Sequence, residues 1–311
     1  MISLRSAFKL NIGLILVLTC GAGLTQSVKQ TPKPPVEVPF AFEHNQIILQ
    51  VKIVGKGPFN MLLDTNTDPS AIDAATAREL GLLVGAKGAT ATGGGTEKNT
   101  VYPAQLPIVE LGAITAKDIA AATIDLTRLG ERIGKPIHGV LGYSFLKDRI
   151  VQIDYPNQKL RFFTESPYPR IQFGPNTVNI IAFPFRYEDG EMMIESVFVN
   201  NEKMRATLDT GSSGTFSLTP EAVAQLGLEE QGRDDEDESV GYNGAFKSKI
   251  GTLKAVRMGK LSVDSAQATF WLPGTGHDHK KFQVNIGNGF FKDFMVTFDL
   301  KNKMVVFERV D

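Results

Sequence analysis

The chain has 311 residues, 42% of them hydrophobic and 22% charged, the balance of a soluble globular protein with length for roughly two domains. Its formal net charge is −1. This excludes the excess of Lys and Arg that a nucleic-acid surface or a broad membrane-binding face requires.

Arg5 and Lys9 begin the chain with positive charge, Leu10 to Leu18 is an apolar run broken only by Asn11 and Gly13, and the small residues Cys20-Gly21-Ala22-Gly23 follow. Such a run falls short of the about 20 residues that span a bilayer. Residues 1–27 therefore read as a secretory signal peptide, and a buried N-terminal helix is disfavoured for want of an amphipathic period. No later segment is apolar enough for a membrane span. Cys20 is the single cysteine, so disulfides and thiolate metal sites are excluded. It is a candidate lipid-attachment residue, although Thr19 is bulkier than the residue such a site prefers. A secreted protein without disulfides fits a bacterial periplasm.

Residues 28–37, with Thr31-Pro32-Lys33-Pro34-Pro35, read as a linker, and the remainder repeats itself. Leu63-Asp64-Thr65 recurs as Leu208-Asp209-Thr210, Phe145-Leu146-Lys147-Asp148 as Phe290-Phe291-Lys292-Asp293, and Pro39-Phe40 as Pro184-Phe185, each 145 positions on. The offset drifts by one or two residues between these anchors and returns, as loop changes within one shared fold would make it do. Two lobes are expected, 38–165 and 178–311, joined by a linker at 166–177, in a chain that is a monomer with pseudo-twofold symmetry.

Within each lobe the pattern is mostly β. Ile47 to Val54 reads as a strand, Gly55 to Pro58 as a turn, and Phe59 to Leu63 as a second strand entering Asp64. Met192 to Val199, the turn Asn200-Asn201, and Arg205 to Leu208 repeat this before Asp209. One helix is expected per lobe: Ala71 to Leu80, stopped by Gly81, and Pro220 to Leu226, started after Thr219 and stopped by Gly227. Many short strands with one helix each point to small, partly closed barrels.

An apolar strand ending in Asp-Thr-Gly presents a carboxylate at the mouth of a tight turn, where backbone N–H groups reach it. One copy is equally well a structural turn aspartate. Two copies at equivalent positions bring Asp64 and Asp209 together at a pseudo-twofold axis. Two carboxylates so placed share a proton, and a water between them is activated by general acid–base catalysis without metal or cofactor.

Ala206-Thr207-Leu208-Asp209-Thr210-Gly211-Ser212-Ser213, with the apolar-Gly segments Val140-Leu141-Gly142 and Asn285-Ile286-Gly287, resembles the pepsin/retropepsin superfamily of aspartic peptidases, in particular bacterial chains with two retropepsin-like domains. The resemblance covers both lobes. It implies two acid-protease β-barrel lobes with an inter-lobe cleft, a polypeptide substrate, and Asp64 and Asp209 as the catalytic pair; the shared-proton mechanism is the family's own. It further implies that Thr65 and Thr210 cross-brace the two loops and that Thr67 and Ser212 bond to the carboxylates beside Gly211. The first copy departs from the pattern: Asn66 stands where the family has Gly. Its side chain is expected to crowd the dyad or to add a hydrogen bond that perturbs the shared proton, which opens the alternative of a relative that binds peptide without cutting it.

Thr92-Gly93-Gly94-Gly95-Thr96 and Val240-Gly241-Tyr242-Asn243-Gly244 are candidate flaps, with Gly94 and Tyr242 at their tips, and equally ordinary hairpins. Asp234 to Glu238 reads as a solvated loop without calcium-loop spacing. His277 and His279 lack further metal ligands, and Ser212-Ser213 has no nearby His to make a serine nucleophile. No cofactor, metal or nucleic-acid partner is expected.

Overall fold

The computed structural model describes residues 33–91, 93–168, 179–234 and 238–309. The expected signal segment, half of the first linker, most of the second, Thr92 and Asp235–Asp237 lie outside the described residues. Each repeat builds an eight-stranded sheet, and the strand orders match position by position. In the first the order is Ala41–Glu43, Gln46–Ile53, Lys56–Leu63, Gly139–Leu141, Ser70–Asp73, Ile114–Ile124, Thr100–Leu111 and Ala89–Thr90, and Gln46–Ile53 also pairs with Thr100–Leu111 to curl the sheet on itself. In the second it is Arg186–Glu188, Glu191–Val199, Glu202–Asp209, Val284–Gly287, Phe216–Leu218, Leu261–Trp271, Ser248–Met258 and Arg233–Asp234, closed in the same way by Glu191–Val199 against Ser248–Met258.

A six-stranded sheet takes strands from both repeats: Val36–Pro39, Lys159–Phe163, Ile150–Asp154, Phe294–Asp299, Met304–Arg309 and Ile180–Pro184. Its central pair, Ile150–Asp154 with Phe294–Asp299, is antiparallel and places Gln152 opposite Thr297, whose side chains hydrogen-bond at 3.1 Å. The lobes are thus joined through continuous backbone pairing, and the first strand of that sheet begins at Val36, inside the segment expected as linker.

The strand Gln46–Ile53, paired with the one that delivers Asp64, is buried along one face. Ile47, Leu49, Val51 and Ile53 on that face are essentially inaccessible while Gln50 and Lys52 point the other way and are exposed, which fixes the register of Gln46–Ile53 against Lys56–Leu63, because a slip by one residue would exchange the faces of every side chain. The turn here is shorter than expected. Val54 and Gly55 both take positive φ as a two-residue hairpin turn, so the second strand starts at Lys56, opposite Ile53. Asn200 and Asn201 make the matching turn in the second lobe, also at positive φ.

The helix expected from Ala71 begins at Ala74. Ser70–Asp73 is instead a strand paired in parallel with Ile114–Ile124, and the Asp73 side chain caps Ala74–Leu80 by accepting from the N–H groups of Ala75 and Thr76. Thr219 caps Pro220–Gln225. Three further short helices, Thr127–Ile133, Tyr143–Leu146 and Asn288–Phe291, exceed the expected one per lobe. The last two follow the apolar-Gly strands directly.

Candidate active site

Asp64 follows the strand Lys56–Leu63 and Asp209 ends the strand Glu202–Asp209. Each strand lies parallel to an apolar-Gly strand, with Leu63 opposite Leu141 and Asp209 opposite Gly287. Those glycines stand where space runs out. A Cβ on Gly142 would lie 2.1 Å from the Thr67 carbonyl oxygen, and one on Gly287 would lie 2.6 Å from the carbonyl oxygens of Ser212 and Gly214. The apolar-Gly strands therefore press against the loops that carry the acids.

The two threonines after the acids bond across the lobe boundary. The Thr65 hydroxyl donates to the Leu208 carbonyl at 2.8 Å and accepts the Thr210 N–H at 3.1 Å. The Thr210 hydroxyl donates to the Leu63 carbonyl at 3.0 Å and accepts the Thr65 N–H at 3.0 Å. Both threonines are buried, so the four bonds face little competition from water and tie one loop to the other.

One oxygen of each acid accepts the N–H two residues on: Asn66 to Asp64 Oδ1 at 2.7 Å, and Gly211 to Asp209 Oδ1 at 2.8 Å. The second oxygens differ. Asp64 Oδ2 accepts the Thr67 hydroxyl at 2.5 Å. The counterpart Ser212 gives no side-chain hydrogen bond to Asp209 among the described residues; the Asn285 amide does instead, from Nδ2 to Oδ2 at 2.7 Å. A Cβ on Gly211 would come within 2.3 Å of Asp64 Oδ2, so the second lobe's loop lies directly on the first lobe's acid. Burial, and after it the negative charge of Asp64, push the Asp209 carboxyl up to about 8, while the Asn285 amide pulls it down.

A model of the aspartyl protease family matches the chain twice, over residues 49–145 and 196–290, and each match contains one of the two acids. The chain belongs to the aspartyl protease family. It is similar to the retropepsin-like aspartic protease from Rickettsia conorii at 23% identity, over 42% of this chain and 90% of that one, with a TM-score of 0.33. It is similar to the aspartic proteinase from Irpex lacteus at 12% identity, over 89% of this chain and 98% of that one, with a TM-score of 0.53. Basic 7S globulin from soybean aligns at 11% identity over 89% and 95% of the two chains, with a TM-score of 0.49. No curated protein matches.

In this member of the family Asn66 does not turn its side chain to the carboxylates. Its Nδ2 donates to the Thr207 hydroxyl at 2.8 Å and its Oδ1 accepts the Met192 N–H at 2.9 Å, so the residue expected to crowd the acids is a further tie to the second lobe. Its backbone stays outside the positive-φ region, and a side chain is accommodated there without strain. Thr207 also approaches Glu191 at 3.5 Å. Burial raises the Glu191 carboxyl, and Lys280 at 3.3 Å opposes that.

The two Gly-rich loops meet above the acids. Asn243 donates its N–H to Gly94 at 2.9 Å, Glu97 donates to Asn243 at 2.8 Å, and Gly95 donates to Thr275 at 2.9 Å. A Cβ on Gly95 would lie 2.1 Å from the Asn243 backbone and one on Gly241 2.3 Å from the Gly94 carbonyl oxygen; the loops cross at a distance that only glycine allows. Tyr242 reaches furthest down. Its hydroxyl donates to Asp64 Oδ2 at 3.0 Å and lies 2.8 Å from the Thr67 hydroxyl, and burial followed by the Asp64 charge pushes the phenol well above its ordinary value.

His277 and His279 have unlike surroundings. His277 is buried, stacked on Trp271 at 3.7 Å under Gly94, and desolvation lowers it to about 3. His279 is exposed beside Glu221. Sequence reasoning missed Asn285 and Thr207. The repeat alignment carries a signal for both, since these polar residues occupy the positions of Val140 and Leu62 in the first lobe.

Proposed function

We propose that the chain is an aspartic endopeptidase in which Asp64 and Asp209 activate a water between them. The cross-brace carries this reading: four buried bonds through Thr65 and Thr210 hold two carboxylates from different lobes at one place. One carboxylate takes the water's proton as its oxygen attacks the peptide carbonyl carbon, and the protonated partner donates to the carbonyl oxygen; the proton then passes to the leaving nitrogen as the C–N bond breaks. Preorganised donors cost no reorganisation during this step. The crossed loops with Gly94 and Tyr242 part to admit an extended polypeptide and close over it. The basic, apolar and small N-terminal segments support action outside the cytoplasm.

A second reading has its own observation. The Tyr242 hydroxyl occupies a bonding direction of Asp64, as suits a relative that binds peptide without cutting it. Purified protein lacking residues 1–27 incubated with a peptide library from pH 3 to 8 separates the two. The peptidase reading expects cleavage that is blocked by a statine-type inhibitor and lost in both Asp64→Asn and Asp209→Asn. Peptide binding without cleavage at any pH would overturn it.

A further inference from the structure

The two acids differ most in the group at their second oxygen. At Asp64 Oδ2 both neighbours are hydroxyls, Thr67 and Tyr242, and a hydroxyl turns to accept a proton as readily as it donates one. At Asp209 Oδ2 the neighbour is an amide N–H, and Gly211 supplies another N–H at Oδ1. Neither of those nitrogens can accept. Both oxygens of Asp209 are therefore met by groups that favour negative charge, whereas Asp64 has partners that tolerate a proton on it.

The placement of Asn285 follows from its strand. Val284–Gly287 runs parallel to Glu202–Asp209 with Gly287 opposite Asp209. Asn285 lies two residues earlier on the same face of that strand, opposite Thr207, and from there its amide reaches the carboxylate. Asn285 is 7% exposed, and its own Oδ1 is buried with no partner. Among the described residues no other group competes with Asp209 for this amide. In the first repeat Val140 occupies this position, and Asp64 manages without such a donor.

We propose that Asn285 is a positioning residue that aims a donor at Asp209 Oδ2 and thereby favours the ionised form of a carboxyl that burial and the neighbouring Asp64 otherwise keep protonated, so that Asp209 can pass its proton on during a reaction cycle. The consequence for a reaction cycle rests on the peptidase reading; the effect of the amide on Asp209 does not. The other titratable groups around Asp209 are Asp64 from the first lobe's loop, Glu191 from the strand Glu191–Val199 with its partner Lys280, and Tyr242 from the overlying turn. All remain in place when Asn285 is changed.

Asn285→Val tests this, because valine already fills the equivalent position of the same fold, and Asn285→Thr restores a hydroxyl on nearly the same shape. Carboxyl carbons of 13C-labelled aspartate are followed by NMR from pH 3 to 9 in the full folded protein, with the Asp209 signal assigned by its loss in Asp209→Asn. The Asp209 transition is expected to move up by about one pH unit in the valine variant, the scale of one bond to a charged group, and by less in the threonine variant. The limb of the kcat/KM profile that belongs to Asp209 shifts the same way, whereas a merely structural loss lowers activity without moving a limb. A transition that stays put would overturn the proposal. One that moves down would also overturn it, since the amide would then have faced Asp209 with its oxygen and held a proton there. Should Asn285→Val fail to fold, the direction of the shift in Asn285→Thr decides. If no peptide is cut, the titration still decides on Asn285; if peptides are cut and the transition is unmoved, only this inference fails.

Discussion

Replacing Asn66 by Gly restores the family's usual residue, and the structure sets the sign of the outcome. The substitution deletes the bond from Nδ2 to Thr207 at 2.8 Å and the bond from the Met192 N–H to Oδ1 at 2.9 Å, both crossing from one lobe to the other. Each half-buried bond contributes about 1 kcal/mol, and glycine adds roughly 0.5–1 kcal/mol of chain entropy lost on folding. The expected loss is about 2–3 kcal/mol, which for a chain of this size lowers Tm by roughly 4–10 °C. Denaturant unfolding at neutral pH measures it, with Asn66→Ala separating the bonds from the backbone entropy and a double-mutant cycle with Thr207→Val expected to return a coupling of roughly 1 kcal/mol. A variant as stable as the parent, or more so, would refute the inter-lobe tie. Higher peptidase activity in Asn66→Gly would show that the side chain obstructs the acids after all.

Thr65→Val and Thr210→Val each remove one donor and one acceptor of the buried cross-brace, and each is expected to cost about 2–4 kcal/mol in denaturant unfolding, with the double variant losing less than the sum. Gly142→Ala drives a Cβ to 2.1 Å from the Thr67 carbonyl and is expected to destabilise by about 1–3 kcal/mol, whereas Gly134→Ala, with open space around it, is strained by its positive φ alone and tests how far crowding behind the acid loop exceeds that. Stability is expected to fall as pH rises from about 6.5 towards 8, because folded Asp209 holds its proton up to about 8 and the unfolded group releases it near 3.8. Below about 6.5 the buried, neutral His277 acts the other way, since the unfolded ring binds a proton that the folded one refuses until about 3. Tm measured against pH in Asp209→Asn, which should abolish the fall above about 6.5, and in His277→Gln, which should extend that fall down towards 3.8, checks both signs.

Much of the site was legible from local sequence because its parts are local. A strand that ends in Asp-Thr, an N–H two residues on, and a hydroxyl at Thr67 all lie within four residues, and the backbone of a tight turn leaves them little freedom. The repeat at 145 positions then paired Asp64 with Asp209, and with them Thr65 with Thr210, since equal strands in equal lobes present equal positions. The helix start at Ala74 was misplaced for a related reason: Ser70–Asp73 is apolar enough for a helix, and only its pairing with Ile114–Ile124 makes it a strand.

Side-chain direction was beyond the sequence. Asn66 looked like a group placed over the acids, yet its partners are Thr207 and Met192, residues more than 120 positions away. Ser212 stands where Thr67 stands in the first lobe, but Asn285, brought in by parallel pairing of strands 76 residues apart, takes its place on Asp209. Tyr242 reaches the acid of the other lobe from a turn whose glycines announced only flexibility. Composition, strand periodicity and the repeat determined two β lobes with one acid each, because those depend on neighbours in the chain. Which donor meets which oxygen depends on how the sheets register and how the lobes cross, and only the tertiary structure decided that.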